Sequence, residues 1–172
     1  MRKWLILLCA VLILAVVNFG IWQNEKLIKN GKIVLLELAP LDPRSLMQGD
    51  YMALEFAMAD AISAQLTDTD TSINGQVIVE LDQQRRAKFV GVDQQQPLAD
   101  GQLRLQFRLR HGQVKLATNA FFFQEGTGEI YESAKYGLFR VGQDGNLLLT
   151  HLVDEQLHPL GQVKALQPAA QE

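Results

Sequence analysis

Residues 102–110 read Q-L-R-L-Q-F-R-L-R, the cleanest two-residue period in the chain. Leu103, Leu105, Phe107 and Leu109 share one face, and Gln102, Arg104, Gln106, Arg108 and Arg110 the other. Such alternation marks a strand with one side on a core and one in water. Strand candidates recur on both sides of it. Residues 76–81 and 87–92 alternate about D-Q-Q-R-R at 82–86, a hairpin candidate. His111-Gly112 is a tight-turn pair leading into a return strand at 114–116. Residues 136–141 and 147–153 flank G-Q-D-G-N at 142–146, the strongest turn signal present. Residues 33–39, apolar apart from Glu37, make a first strand. Residues 57–66, A-M-A-D-A-I-S-A-Q-L, lack Gly and Pro and read as a short helix. Its Met58, Ala61, Ile62 and Leu66 fall at helical spacing, so it should lie on a sheet. Residues 129–135 could add one or two helical turns, while 67–75 and 93–101 read as exposed loops.

The expected fold is mainly β: an antiparallel curled sheet or barrel-like body with one or two short helices, over residues 31–160. Residues 161–172, rich in Gln and Ala with no apolar period, are expected to form a flexible tail. The chain has 172 residues, a net charge of −3 and 20% charged residues, which suits one ordinary domain with an appendage. About 140 residues remain beyond the apolar N-terminus, enough to bury a core unaided. The mild acidity offers no clustered basic surface for nucleic acid. Cys9 is the only cysteine, so an intrachain disulfide and a thiolate metal site are excluded.

That appendage is residues 1–30. From Trp4 to Trp22 no side chain is ionisable except Cys9. This is close to the ~20 residues a helix needs to cross a bilayer, and indole rings at both ends suit the headgroup zones. A cleaved signal would want a shorter apolar core and small residues before the cut, which N-F-G at 18–20 supplies poorly. A lipoprotein signal would want a small residue where Leu8 precedes Cys9. A helix buried in a soluble body is seldom apolar on every side. We therefore read an uncleaved transmembrane anchor, continued out of the membrane by residues 23–30. Gly31 would end it in the left-handed conformation. Arg2, Lys3 and the free amine nearly balance Lys26, Lys29 and Lys32 across the span. The signal-anchor layout puts the N-terminus in the cytoplasm and the body outside it.

Residues 40–56, P-L-D-P-R-S-L-M-Q-G-D-Y-M-A-L-E-F, concentrate the special backbone chemistry. Pro40 and Pro43 fix their own φ and extend the residues before them. Gly49-Asp50 marks a turn, after which Met52, Leu54 and Phe56 face one way and Tyr51, Ala53 and Glu55 the other. The bland reading is a β-turn opening a strand. The functional one has Asp42, Arg44 and Asp50 converging as a carboxylate–guanidinium cluster for a polar ligand. Ser45 with a lysine base would be a hydrolytic dyad, but Lys88, Lys115 and Lys135 all lie on segments that read as solvated. Glu125-Gly126-Thr127-Gly128 could offer backbone N–H groups to an anion, or simply close a tight loop. It lacks the G-K-[ST] of a phosphate loop. Glu125 and Glu129 beside Tyr131 could pair as carboxylates. His111, His151 and His158 show no ligand spacing, and no metal or cofactor is expected. Arg104, Arg108 and Arg110 make a basic strip, either solvated or in contact with anionic lipid or an acidic partner surface.

Gly49-Asp50-Tyr51 with Leu54 and Phe56, and then F-F-F-Q-E-G-T-G at 121–128, resemble the GDYXXLXY family of bacterial membrane-anchored proteins. Phe56 departs from the tyrosine of the family name, which favours packing over chemistry at that position. The resemblance implies an inner-membrane anchor carrying a domain of unknown function, and it brings no catalytic residues. On this basis the chain is expected to be a single-pass protein of the cell inner membrane with a periplasmic body. Its role would be that of a non-enzymatic accessory or binding protein. Its partners would be the lipid bilayer and an integral membrane protein, with no nucleic acid and with an oligomeric state the sequence does not reveal. Asp42, Arg44, Gly49, Asp50 and Tyr51, with Glu125, Gly126, Thr127 and Gly128, would form its ligand crevice or structural face. The alternatives are a membrane-tethered hydrolase using Asp50 and Glu125, and a small-ligand sensor using the 125–128 loop.

Overall fold

The chain was analysed as a computed structural model that describes residues 2–39, 51–66 and 72–161. A single helix, α1 (Arg2–Asn30), carries the apolar N-terminal run. Its Trp4, Leu12, Ile13, Leu14, Val16, Phe19 and Trp22 are all exposed, so this stretch is not packed inside the body. The amide of Asn18 turns back to donate to the Leu14 carbonyl at 2.8 Å, which hides a polar group on an otherwise apolar helix. The region Cys9–Asn30 is long and apolar enough to span a membrane, and it is the one candidate span among the described residues.

The body follows as β1 (Lys32–Glu37), β2 (Tyr51–Ala53), α2 (Met58–Gln65), β3 (Ile73–Leu81) and β4 (Ala87–Val92). Then come β5 (Gln102–Arg110), β6 (Gln113–Leu116), β7 (Ala120–Phe122), a 3-10 turn (Gly128–Tyr131), β8 (Tyr136–Val141) and β9 (Leu147–Val153). The strands form a four-stranded sheet β4-β3-β5-β6, a three-stranded sheet β1-β8-β9 and a two-stranded ribbon β2-β7. All named strand pairs are antiparallel. The body is mostly β and curled into a half-barrel, as the alternation predicts.

One core serves both larger sheets. Leu105, Phe107 and Leu109 of β5 meet Val77 and Val79 of β3, Val34 and Leu36 of β1, and Phe139 and Val141 of β8. Met58 and Ile62 of α2 are buried in the same core, at the spacing that places them on one helix face. Each fully buried aliphatic or aromatic side chain contributes about 1.5–3 kcal/mol.

Two seams close the curl. At the first, the Leu35 N–H donates to the Arg85 carbonyl at 2.9 Å, joining β1 to the β3–β4 hairpin. The Asp82 carboxylate shapes that hairpin by accepting the Gln84 N–H at 2.8 Å, the Arg86 N–H at 2.9 Å and the Arg86 Nε at 2.7 Å. At the second seam, the Gln106 N–H donates to the Gly145 carbonyl at 2.8 Å, docking the β8–β9 turn against β5. The side-chain amides of Gln76 and Gln106 also donate to the Asp144 carbonyl, at 2.8 and 3.0 Å.

The connection from β4 to β5 must cross β3, which lies between them. Arg104 pins it, with Nε donating to Asp93 Oδ2 at 2.8 Å and Nη2 to the Gln96 carbonyl at 2.5 Å. Ile78 faces away from Val77 and Val79 yet is only 2% exposed, as a side chain beneath that crossover should be.

Three sequence expectations are corrected. Residues 73–75 are not loop but the start of β3, paired with Leu109, Arg108 and Phe107 of β5. Thr-Ser-Ile-Asn-Gly has turn composition, but Gly75 is there to admit the Phe107 ring, which would lie 2.6 Å from an added Cβ. Gly31 is not left-handed; it is absent from the positive-φ glycines. Its need is space, because a Cβ there would sit 2.5 Å from the Leu27 carbonyl oxygen and 3.1 Å from the Arg140 Cβ. The strand opening at Tyr51 stops at Ala53. Beyond it, the Leu54 N–H bonds the Asn119 carbonyl at 2.8 Å and Phe56 bridges Leu38, so the chain leaves β7 for β1. At the C-terminal end Pro159 still bridges Val153, and the expected tail beyond residue 161 lies outside the described residues.

Two predictions follow from this packing. Gly75→Val drives a branched side chain into Phe107 and should lower stability by about 1–3 kcal/mol in urea denaturation; unchanged stability would show that the ring has room. The second concerns Asp82, whose carboxyl the Arg86 N–H, foremost, holds below its ordinary value of 3.8. A depressed folded value means that its stabilisation is complete above the unfolded pKa and is lost as pH falls through the folded one. Asp82→Asn should therefore make the drop in melting temperature between neutral pH and pH ~3 shallower than in wild type. Acid limbs of equal depth would contradict it.

Candidate functional site

Two surfaces gather the chemistry-bearing residues. The first is the β2–β7 ribbon. Its register sets Tyr51 against Phe122, Met52 against Phe121 and Ala53 against Ala120. The Gly-Asp-Tyr stretch thus ends on a strand paired with the F-F-F-Q-E-G-T-G stretch, although about seventy residues separate them. Strand alternation sends Met52 and Phe121 inward and Tyr51 and Phe122 outward. The Tyr51 and Phe122 rings lie 5.8 Å apart, and Phe122 is 75% exposed. Beneath them Tyr131 meets Phe121 edge-on at 5.0 Å and stacks on Phe123 at 5.4 Å. Aromatic pairs at such separations add about 0.5–1.5 kcal/mol beyond the area they bury.

Residues 125–128 close the end of this ribbon as a turn. The Thr127 N–H and Oγ1 both donate to the Gln124 carbonyl, at 3.1 and 2.6 Å. Gly126, third in that turn, has φ +78°, which costs any residue with a Cβ. The Thr127 N–H is thereby committed inside the loop rather than offered to an anion. Glu125 and Glu129 are exposed, and Gly128 opens the 3-10 turn that carries Tyr131. Of the nine residues singled out in the sequence, Tyr51 and Glu125, Gly126, Thr127 and Gly128 occupy the two strands' ends of this one ribbon. Asp42, Arg44, Gly49 and Asp50 lie outside the described residues, as does Ser45.

The second surface is the outer face of the four-stranded sheet. Two adjoining clefts of ≈ 410 and ≈ 490 Å³ share Gln106 and Arg108. One runs towards Thr118, Asn146 and Leu148, the other towards Asn74, Gln76 and Arg110. Arg108 Nη2 donates to the Ala117 carbonyl at 2.8 Å. Arg110 donates to the Ile73 carbonyl at 3.1 Å and to Asn74 Oδ1 at 2.6 Å. The basic strip was visible in the alternation of β5; the amides beside it were not, since they arrive from β3 and from the β8–β9 turn. Reading β3 from Ile73 would have exposed Asn74 and Gln76 as its outward residues.

Lys135 pairs with Glu37 at 3.1 Å, and the hydrogen bond to that carboxylate raises its pKa, opposite to the shift a neutral amine base needs. Among the described residues no group of three His, Cys, Asp or Glu is arranged to hold a metal.

The family model described as GDYXXLXY protein matches residues 13–152, from mid-α1 into β9. The chain belongs to the GDYXXLXY family. The match takes in both surfaces and the whole junction between helix and body. Comparisons with curated proteins and with solved structures returned no match. Within the GDYXXLXY match, Tyr51 of the first stretch pairs with Phe122 of the second in the ribbon, while Leu54 and Phe56 enter the core.

The ribbon's two faces should respond differently to truncation. Phe122→Ser should leave stability within about 0.5 kcal/mol, as exposed positions do. Phe121→Ala removes the ring that meets Tyr131 and should cost about 2–4 kcal/mol. Urea denaturation of the detergent-solubilised full chain measures both, and equal costs would refute the inward–outward assignment.

Proposed function

We propose that the chain is an uncleaved single-pass protein of a bacterial inner membrane whose periplasmic body binds another integral membrane protein as a non-enzymatic accessory. The observation that supports this most is the braced junction between anchor and body. No linker intervenes: the Gly31 N–H donates to the Leu27 carbonyl at 2.8 Å, and β1 begins at the next residue. Arg140 Nη1 donates to the Gly31 carbonyl at 3.1 Å, tying β8 to the end of the helix. A Leu27 methyl packs 3.3 Å from the Cβ direction of Gly142 in the β8–β9 turn.

Trp4 to Trp22 covers about 27 Å at ~1.5 Å per residue, close to the ~30 Å hydrocarbon core. Residues 23–30, the end of the candidate span that carries Glu25, Lys26 and Lys29 and so belongs outside the hydrocarbon, add about 12 Å, which clears one headgroup layer with little to spare. The body is then held just above the lipid in a set orientation. A domain that catches a diffusing solute gains nothing from such a brace. One that meets a neighbour in the same bilayer gains effective concentration and alignment. The exposed Phe122 beside Tyr51 offers an aromatic anchor of the kind that concentrates binding energy at interfaces.

Two measurements on the full chain test this. With Cys9→Ser as background, Ser133→Cys should react with a membrane-impermeant maleimide in cells whose outer envelope alone is opened. Labelling only after lysis would reverse the sidedness. A photoreactive residue at position 122 should crosslink to one membrane protein in intact membranes. A flexible ten-residue insertion between Asn30 and Gly31 should cut that yield by roughly tenfold. Crosslinks to lipid alone, or a yield indifferent to the insertion, would overturn the accessory role.

A further inference from the structure

We infer that the outer face of β5 and β6, centred on Arg108 and Lys115, is where the body takes an extended acidic segment of its protein partner. This deepens the binding role proposed above and rests on it. The starting point is a mismatch in the strand register. Arg108 stands directly opposite Lys115, and like charges directly opposite on neighbouring strands destabilise a sheet. Elsewhere the same sheet does the reverse, setting Glu80 opposite Lys88. Alternation places Arg110 and Gln113, also opposite each other, on the same outer face.

Nothing acidic among the described residues offsets this charge. Asp93, the one carboxylate among the residues lining the two clefts, has a side chain only 6% exposed and is taken by Arg104 at 2.8 Å. None of the ion pairs among the described residues involves Arg108, Arg110 or Lys115. Arg108 donates one Nη2 hydrogen to Ala117, and a guanidinium carries five donors. A carboxylate seated between Arg108 and Lys115 would turn the repulsion into two charge-assisted hydrogen bonds.

The shape points to a chain rather than a compact solute. The clefts of ≈ 410 and ≈ 490 Å³ share Gln106 and Arg108; one opens along β5 towards Asn74 and Arg110, the other towards Thr118 and Leu148, and Lys115 stands beside Arg108 outside both. The lining of the two clefts includes the amides of Asn74, Gln76, Gln106 and Asn146. Gln76 and Gln106 each give one amide hydrogen to the Asp144 carbonyl and the Asn74 oxygen accepts from Arg110, which leaves their remaining donor and acceptor positions to a polypeptide backbone. Side chains two apart on an extended chain are about 6.6–6.8 Å apart, the same repeat that separates Arg108 from Arg110 on β5. An acidic segment with carboxylates at alternate positions would therefore place one at Arg108 and Lys115 and the next in the field of Arg110.

The test uses the full chain in nanodiscs of neutral lipid and a fluorescent ten-residue peptide of alternating Glu and Thr. Anisotropy should show binding that weakens steeply with added salt, and a Gln–Thr peptide should bind at least about tenfold more weakly. Arg108→Gln and Lys115→Gln should each weaken the acidic peptide by about fivefold or more. Lys115→Gln leaves the Arg108–Ala117 bond in place, so its melting temperature should equal or exceed that of wild type. A residue serving only the sheet would lower it. Equal binding of the two peptides, or variants that bind as wild type does, overturns the assignment. So does competition by inorganic phosphate or by phosphatidylglycerol vesicles at matched charge, which would give the face to a simple anion or a lipid headgroup. If position 122 still crosslinks to a membrane protein while Lys115→Gln changes nothing, the binding role stands and this face is not its seat.

Discussion

The hydrogen bond from the Leu35 N–H to the Arg85 carbonyl is the closure on which the body depends. β1 and β4 are edge strands of two different sheets, and an open edge invites pairing with other chains. Joined at this point, the sheets curl and turn their apolar faces towards one core. The hairpin that offers the carbonyl is preset by Asp82. Asp82 and then the Tyr136 hydroxyl hold the Arg86 guanidinium more firmly protonated. Gln106 and Gly145 make the matching closure on the other side. The only cysteine is in the N-terminal helix, so no crosslink supplements these seams. The body is held by burial and by a few well-placed hydrogen bonds.

What the sequence made legible was local. β5, α2 and the β8–β9 hairpin could be bounded closely because period, composition and turn residues agree within each segment. The curl was expected in kind, but not which edges meet. β1 pairs with β8 across a hundred residues, and β2 with β7 across seventy, and neither pairing leaves a mark in either strand alone. β7 went unrecognised as a strand because Ala120–Phe122 is too short to alternate visibly. The misjudged positions were those where a distant group sets the local demand. Gly75 makes way for Phe107, and Gly31 makes way for Leu27 and Arg140. For the candidate site, composition exposed the arginine row but could not bring Asn74 and Asn146 to it, since that requires the register of β3 and the second seam.

These constraints divide the molecule's labour. Among the described residues, the ribbon of β2 and β7 takes Tyr51, and the turn that closes it takes Glu125, Gly126 and Thr127. On the outer sheet face Gln76 and Gln106 help to dock the β8–β9 turn, whereas Arg108 and Lys115 stand opposite each other as like charges. Unfavourable local electrostatics on a well-packed strand call for a cause outside the sheet. The helix that could span a membrane runs into the body without a linker, braced by Arg140 at Gly31. Function on such a scaffold must be argued from the site, since a curled β body alone hosts many activities.

Phe56 shows the same division at the scale of one residue. The family name has tyrosine at this position, and here it is phenylalanine. The ring is buried in the shared core and meets Phe139 edge-on at 5.7 Å, one residue after the chain has left β7 for β1. A buried phenol needs a hydrogen-bond partner for its hydroxyl, whereas a phenyl ring needs only matching surfaces. The position therefore calls for an aromatic ring of the right size, and the hydroxyl is dispensable wherever its neighbours are apolar, as they are here. Tyr51, half-buried on the outward side of the ribbon, is in a different situation: its ring packs on Phe122, which is itself exposed. Of the two aromatic positions in the motif, Phe56 belongs to the core, and Tyr51 lies on the outward side of the ribbon against Phe122.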